Sequence, residues 1–450
     1  MSAMIGRCIP ARRTRVNAME KPVDETNNAV TNPSFREATK LWWKIGLLSF
    51  GGPAAQIALM HKLIVDQMRW MSEKEYLNAL SFCMLLPGPE AMQIATYAGW
   101  RQHGTVGGLI AGLLFVLPGA FVILAMAIIY AYFGNVPFIQ ALFLGVKAAV
   151  LIVVVEALLK ISKRALKGLQ PKVIAVLAFI GIFLLNVPFP LIVLIAGLYG
   201  FFTARQSEDP AMEKVVKPQG FSGLLTTVVI MLLIWWLPLV LIDQLFHTQI
   251  ISDIGIFFSK LAVVTFGGAY AVLAYMGQDV VNHWGWLSAG EMMDGLGLAE
   301  TTPGPLILVT EFVGFLAAFR EGGLALGLAG AAVTLWVTFV PCFLWIFAGA
   351  PYIDWIGDQP KLKGALEAIS AAVVGVILNL SVWFSLHVIF SDVAHKQLGV
   401  LTLWVPNWSS IDWTVVSLTA LCGVLAFKLH WSIVKILLLS ALLGLAQSYF

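Results

Sequence analysis

The chain repeats itself at a spacing of 216 positions (266 − 50 = 216), and much of what it repeats breaks helices. Lys44, Phe50, Gly51, Gly52, Met60, Trp70, Ser72, Glu75, Pro87, Gly88 and Pro89 recur as Lys260, Phe266, Gly267, Gly268, Met276, Trp286, Ser288, Glu291, Pro303, Gly304 and Pro305. The register holds without a gap from Lys44 to Pro89, through segments that are otherwise largely apolar. In hydrocarbon, unpaired backbone N–H and C=O groups survive only where protein or a water-filled cavity surrounds them. Matched interruptions in two halves of an apolar chain therefore point to a shared binding site between the halves.

Hydrophobic residues make up 59% of the 450 and charged residues 12%, about half the charged share of a soluble domain. A soluble fold so composed lacks the polar surface to cover itself. The apolar runs are long and continuous and do not alternate with period two, which excludes a β-barrel. The expectation is an all-α polytopic membrane protein. Windows of about twenty apolar residues place spans near 41–61, 77–101, 105–133, 136–160, 171–188, 189–205, 221–245, 251–277, 290–318, 322–349, 362–389, 411–428 and 430–449. These are about thirteen transmembrane segments.

They fall into two six-helix repeats joined by a spacer helix. Residues 1–38 form a basic cytoplasmic tail, with Arg7, Arg12, Arg13 and Arg15 but no apolar stretch typical of a cleaved signal. The first repeat is 39–205, a polar linker and the spacer occupy 206–250, and the second repeat is 251–450. Six spans return the chain to its starting side and the spacer carries it across, so the repeats have inverted topology. Basic residues support a cytoplasmic N-terminus: the tail and the loop with Lys160, Lys163, Arg164, Lys167 and Lys172 fall inside. Lys62, Arg69 and Lys74 go against this count. Either the first segment is re-entrant, or the amphipathic stretch that carries them lies against the protein.

Phe50-Gly51-Gly52-Pro53 and Phe266-Gly267-Gly268-Ala269 are hard to keep helical, because glycine weakens a helix and proline removes a donor. Small residues also mark close helix packing in membranes; the duplication and the neighbouring Pro-Gly-Pro steps favour broken spans whose freed amides face an anion. Pro87-Gly88-Pro89 and Pro303-Gly304-Pro305 should each split a span and start a second half-helix at the second proline. The positive dipole end of that half-helix binds an anion without a charged side chain. Thr301 and Thr302 could add hydroxyl donors where the first repeat has Leu85 and Leu86.

Lys44 and Lys260 lie six residues before the two Phe-Gly-Gly breaks and are either interfacial anchors or counter-charges for substrate. Arg101 and Arg320 fall near the ends of the Pro-Gly-Pro spans, out of strict register. Glu90 and Glu300 flank the two Pro-Gly-Pro steps and are candidates to carry a coupling proton. Glu75 and Glu291 are better explained by Ser-x-x-Glu capping boxes.

Cys8, Cys83, Cys342 and Cys422 are isolated, so neither a disulfide nor a metal site is expected. No nucleophile elbow, zinc signature or phosphate-cradling loop appears; the expectation is a non-enzyme with no cofactor, no metal and no nucleic-acid partner.

The ordered pair of motifs in both halves, Phe50–Pro53 with Pro87–Pro89 and Phe266–Ala269 with Pro303–Pro305, resembles the chromate ion transporter family in its long, two-domain form, over roughly residues 38–450. The resemblance implies efflux of chromate, a tetrahedral oxyanion, across the bacterial inner membrane, driven by a proton or membrane-potential gradient and giving chromate resistance. The oxyanion would sit near the midplane, held by half-helix N-termini, the amides of Gly51, Gly52, Gly267 and Gly268, and Thr301 and Thr302, with basic residues adding field. Sulfate, of nearly the same shape and charge, is the nearest alternative, and a membrane-embedded enzyme or scaffold the distant one. The bilayer is the other partner; a homodimer is left open.

Overall fold

A computed structural model describes residues 33–204, 221–246, 248–266, 269–353, 359–399 and 401–447. Most of the expected basic tail, the polar linker, and the pair Gly267 and Gly268 lie outside the described residues. Helix α1 (Phe35–Leu48) begins inside the segment expected as tail, because Ser34 and Glu37 form a capping box. Helix α2 (Gly52–His61) continues as one π-helical turn, Lys62–Gln67. Leu63, Ile64, Trp70 and Met71 are buried, so the basic stretch that opposed the charge count lies against the protein. Helix α3 is Glu73–Cys83, and α4 runs from Glu90 to Phe133 with a sharp kink at His103–Gly104.

Then come α5 (Pro137–Ala165), α6 (Leu169–Phe183), α7 (Phe189–Thr203) and the spacer α8 (Phe221–Phe246). The second half holds α9 (Gln249–Val264), α10 (Ala269–Asn282), α11 (Ala289–Thr301), α12 (Val309–Gly349) and α13 (Pro360–Ile389). An antiparallel hairpin follows, β1 (Val393–Leu398) paired with β2 (Leu401–Pro406). It is an unforeseen feature, tied to α6 by the Thr402 N–H to Leu184 O bond of 2.8 Å. Helices α14 (Trp413–Phe427) and α15 (Ile433–Gln447) end the described chain.

Among the described residues, five helical stretches are long and apolar enough to cross a membrane: 90–133, 137–165, 223–242, 306–352 and 360–389. Shorter apolar helices surround them. Both expected breaks are present: α1 and α2 are separate helices, and so are α3 and α4. The kinks after the Pro-Gly-Pro steps are also matched. Gly104 has φ 62, ψ −157, and Gly323 in α12 has φ 71, ψ −159, a region open to glycine alone. Each kink folds a short N-terminal limb back on a long span; a Cβ on Gly99 would lie 2.4 Å from Gly107 O.

Tight small-residue seams interlock the halves. Helices α6 and α7 of the first half pack on α13 of the second, where Cβ atoms on Gly375 and Gly200 would lie 2.1 Å from Ala175 O and Gly364 O. Helices α14 and α15 of the second half pack on α5 of the first, with Gly145 against Ser440. Such contacts are how apolar helices gain packing energy where lipid competes for every hydrophobic contact. Helix α1 lies on α4, and its counterpart α9 on α12.

Candidate functional site

The first break is set by Ser49 and the second by Thr265, with φ/ψ of −77/66 and −77/79. Each hydroxyl donates 2.6 Å to the carbonyl four residues back, Ile45 or Leu261. The carbonyls of Ser49 and Thr265 are thereby turned out of their helices and need donors. Those donors come from the opposite repeat: Gly304 N–H donates to Ser49 O and Gly88 N–H to Thr265 O, both at 2.8 Å. The Pro-Gly-Pro amides expected to face an anion are therefore occupied in this conformation. A turned-out carbonyl is the nearest strong acceptor, and a buried N–H left unpaired is costly. Gln56, 1% exposed, reinforces the junction, its Nε2 donating to Gly304 O at 2.7 Å and to Ser49 O at 3.2 Å. Gln93 Nε2 donates to Pro87 O at 2.7 Å.

Between the two junctions lies a cavity lined by Pro53, Gln56, Pro89, Glu90, Ala91, Ala269, Pro305, Leu306 and Ile307. Its walls are helix N-termini. Pro53 and Ala269 belong to the first turns of α2 and α10, and Glu90 and Ala91 to the first turn of α4. Leu306 and Ile307 belong to the 3₁₀ turn that leads into α12. The first N–H groups of a helix have no acceptor within it, so four positive dipole ends of about half an elementary charge each converge here. The cavity measures about 10 Å³, room for roughly one water, so no oxyanion fits without the walls moving apart.

Several expected residues are placed elsewhere. Lys44 and Lys260 are on the exposed faces of α1 and α9 and do not line the cavity, which favours the interfacial anchor over the counter-charge. Thr301 and Thr302 donate their hydroxyls to Leu298 O and Ala299 O at 2.9 and 3.2 Å, so neither proton is free for a ligand. Glu300, 5% exposed, is outside the lining and accepts from Tyr270 Oη at 2.9 Å. Glu90 does line the cavity; the second repeat has apolar Leu306–Val309 after its Pro-Gly-Pro step. Gly51 (φ 88) and Gly52 (φ 78) form the left-handed turn that starts α2, and Pro53 stands in its first turn.

Arg101 and Arg320 have no place at the cavity. They are 219 apart (320 − 101 = 219), as are Gly104 and Gly323, so the 3₁₀ turn Leu306–Leu308 accounts for three extra residues in the second repeat. Once that offset is included the arginines are equivalent. Arg101 reaches Glu75 at 3.5 Å and Arg320 bonds Glu291, closing both capping boxes, which are formed as expected. The Ser72 N–H, aided by its hydroxyl and by Arg101, holds the Glu75 carboxyl below the usual carboxylate range.

The sequence reading passed over Gln56 and Gln93; Glu311, an acidic candidate within an apolar run, is 1% exposed with Oε2 unpartnered. A polar side chain inside an apolar run was the available signal. Cys83, Cys342 and Cys422 are buried and unpaired.

Broken helices whose ends meet at the contact between two repeats define a multi-pass α-helical membrane protein of the transporter class. The chain belongs to the chromate transporter family, which matches residues 37–201 and 252–445. It is 28% identical over 422 residues to the chromate transport protein of Cupriavidus metallidurans, covering 91% of this chain and 98% of that one. It is 28% identical to the probable chromate transport protein of Synechococcus elongatus (89% and 96% covered) and 31% identical to the chromate transport protein of Pseudomonas aeruginosa (79% and 83% covered). No solved structure matches the chain.

Proposed function

We propose that this protein exports chromate across the bacterial inner membrane as a secondary active transporter, and so confers chromate resistance. The observation that carries the reading is the convergence of four helix N-termini on one cavity at the contact between the repeats. Their partial charges sum to about two elementary charges, which matches a dianion without a lysine or arginine in the wall. The relatives named chromate transport proteins supply the substrate.

In this reading the repeats are inverted across about thirteen spans, with the N-terminus in the cytoplasm. An inside-negative potential favours a departing dianion by about 2.3 kcal/mol per charge per 100 mV. Glu90 carries a proton at the cavity wall, and Glu300 is the second candidate for a coupling proton. Opening separates the junctions on one side at a time, which frees the amides of Gly88 and Gly304 to join those of Gly51 and Gly52 around the anion. The same motion would bring the edges Pro87, Pro89, Pro303 and Pro305 to the ligand; Gly267 and Gly268, the sequence counterparts of Gly51 and Gly52, belong to the same proposed anion site. Because α5 and α13 are each clasped by helices of the other half, the moving units are not the contiguous halves of the sequence.

Everted membrane vesicles test the reading. Energy-dependent chromate uptake that is absent in Gly51→Leu and weakly competed by sulfate supports chromate export. Sulfate uptake with chromate acting only as a competitor assigns the protein to sulfate instead.

A further inference from the structure

Asp294 is a buried acid that the anion cavity does not use. It lies on α11 and is 3% exposed, whereas Asn78, the residue 216 positions earlier, is exposed. Tyr130 Oη on α4 donates to Asp294 Oδ2 at 2.7 Å, and Lys147 Nζ on α5 stands 3.4 Å from Oδ1. Phe143 and Phe312 stack edge-on against Tyr130, with centroids 5.3 and 5.2 Å away, and wall the group off. The other charges near it are Glu291 on its own helix and Arg320 on α12, which neutralise each other. The cluster thus joins α4 and α5 of the first half to α11 of the second, at one place and not at its repeat equivalent.

A buried, charge-paired carboxylate inside apolar helices is costly to keep and marks an ion or proton route when retained. On α11, Asp294 stands six residues before Glu300; on α5, Lys147 stands nine before Glu156, which pairs with Lys160. Between the two levels Gly297 packs on Val146 and Val150. Ionisable groups therefore line the α5–α11 seam at both ends of a tight apolar contact.

We propose that Asp294, seated between Lys147 and Tyr130, is a proton-exchange site that couples transport to the pH gradient. Its proton comes from water on one side; on protonation the carboxyl releases Lys147, which keeps its charge, and the link between the halves loosens. The inference rests on the transporter reading above.

The test uses the full-length protein in proteoliposomes, with labelled chromate and sulfate. Two fluxes are compared: anion exchange at equal pH, and net accumulation under an imposed pH gradient. One coupled proton and one pH unit sustain about a tenfold anion gradient. The wild type is expected to build at least such a gradient, and Asp294→Asn to exchange anion at a comparable rate while building a gradient several-fold smaller, since the Glu90 proton remains. A variant that builds the full gradient, or that loses exchange and gradient together, overturns the proposal. Infrared difference spectra between acid and alkaline pH need no substrate: a carboxyl band missing from Asp294→Asn supports the proposal, and an unchanged band overturns it. Should the wild type exchange neither anion, the transporter reading fails while the infrared result still decides the role of Asp294.

Discussion

The Gly304 amide donates 2.8 Å to the carbonyl of Ser49 in the opposite repeat, and Gly88 repeats the bond to Thr265. Two backbone hydrogen bonds thus tie the broken ends of each repeat to the other. The arrangement needs glycine twice over: Gly88 has φ +121 and Gly304 φ +90, and a Cβ on Gly88 would sit 2.8 Å from Cys342 Sγ.

Gly88→Ala and Gly304→Ala are each expected to cost about 1–3 kcal/mol through backbone strain. Thermal unfolding of the purified protein in detergent reads the loss. Adding Cys342→Ala should recover part of it for Gly88→Ala and none for Gly304→Ala, whose nearest neighbour is Leu308 Cδ1.

Gln56 gives the Ser49–Gly304 junction side-chain donors that the Thr265–Gly88 junction lacks, since the residue 216 positions on is Val272. Gln56→Val makes the two alike. It should lower stability by about 1–3 kcal/mol, because the Gly304 carbonyl loses its buried donor. If unfolding is unchanged, water or a neighbour replaces the amide and the asymmetry has no energetic meaning.

The Ser72–Glu75 box has a definite pH signature. Hydrogen bonds hold the Glu75 carboxyl below its usual range. A depressed carboxylate adds stability above its unfolded value, about 4.3, and loses it as the pH falls through the lower folded value. Glu75→Gln should therefore melt below wild type at neutral pH, with the gap closing in acid. Arg101→Ala should cost at most about 1 kcal/mol, as exposed ion pairs do, and leave anion affinity unchanged. A loss of affinity would return Arg101 to the substrate site.

The breaks were legible because glycine and proline act locally: Gly51, Gly52 and the two Pro-Gly-Pro steps interrupt helices whatever surrounds them. The capping boxes were legible for the same reason. The destination of the freed backbone groups was not, since Ser49 and Gly304 are 255 residues apart and nothing local pairs them. A shared position says that a residue is repeated, not which face of its helix it occupies; Lys44 and Lys260 are both exposed and outside the cavity lining. The three-residue 3₁₀ turn hid the equivalence of Arg101 and Arg320. The hairpin β1–β2 went unforeseen because its residues do not form an apolar span and were read only as a connection.

Glu90 brings a carboxylate to the wall of a cavity otherwise built to attract anions. At an effective dielectric of 20, two unit charges about 5 Å apart repel by roughly 3 kcal/mol, and a dianion doubles that. The anion and an ionised Glu90 therefore exclude one another, and binding carries a proton with it. Raising the pH should weaken binding to the wild type, by up to about tenfold per unit once Glu90 is ionised in the free protein. Glu90→Gln removes the charge and keeps the shape, so its affinity should be high and flat with pH. The measurement is the rise in melting temperature with chromate or sulfate at several pH values, because a ligand that binds only the folded state stabilises it according to its affinity. Equal pH slopes in wild type and Glu90→Gln would mean that the proton binds elsewhere, leaving Glu90 as a fixed wall of the cavity.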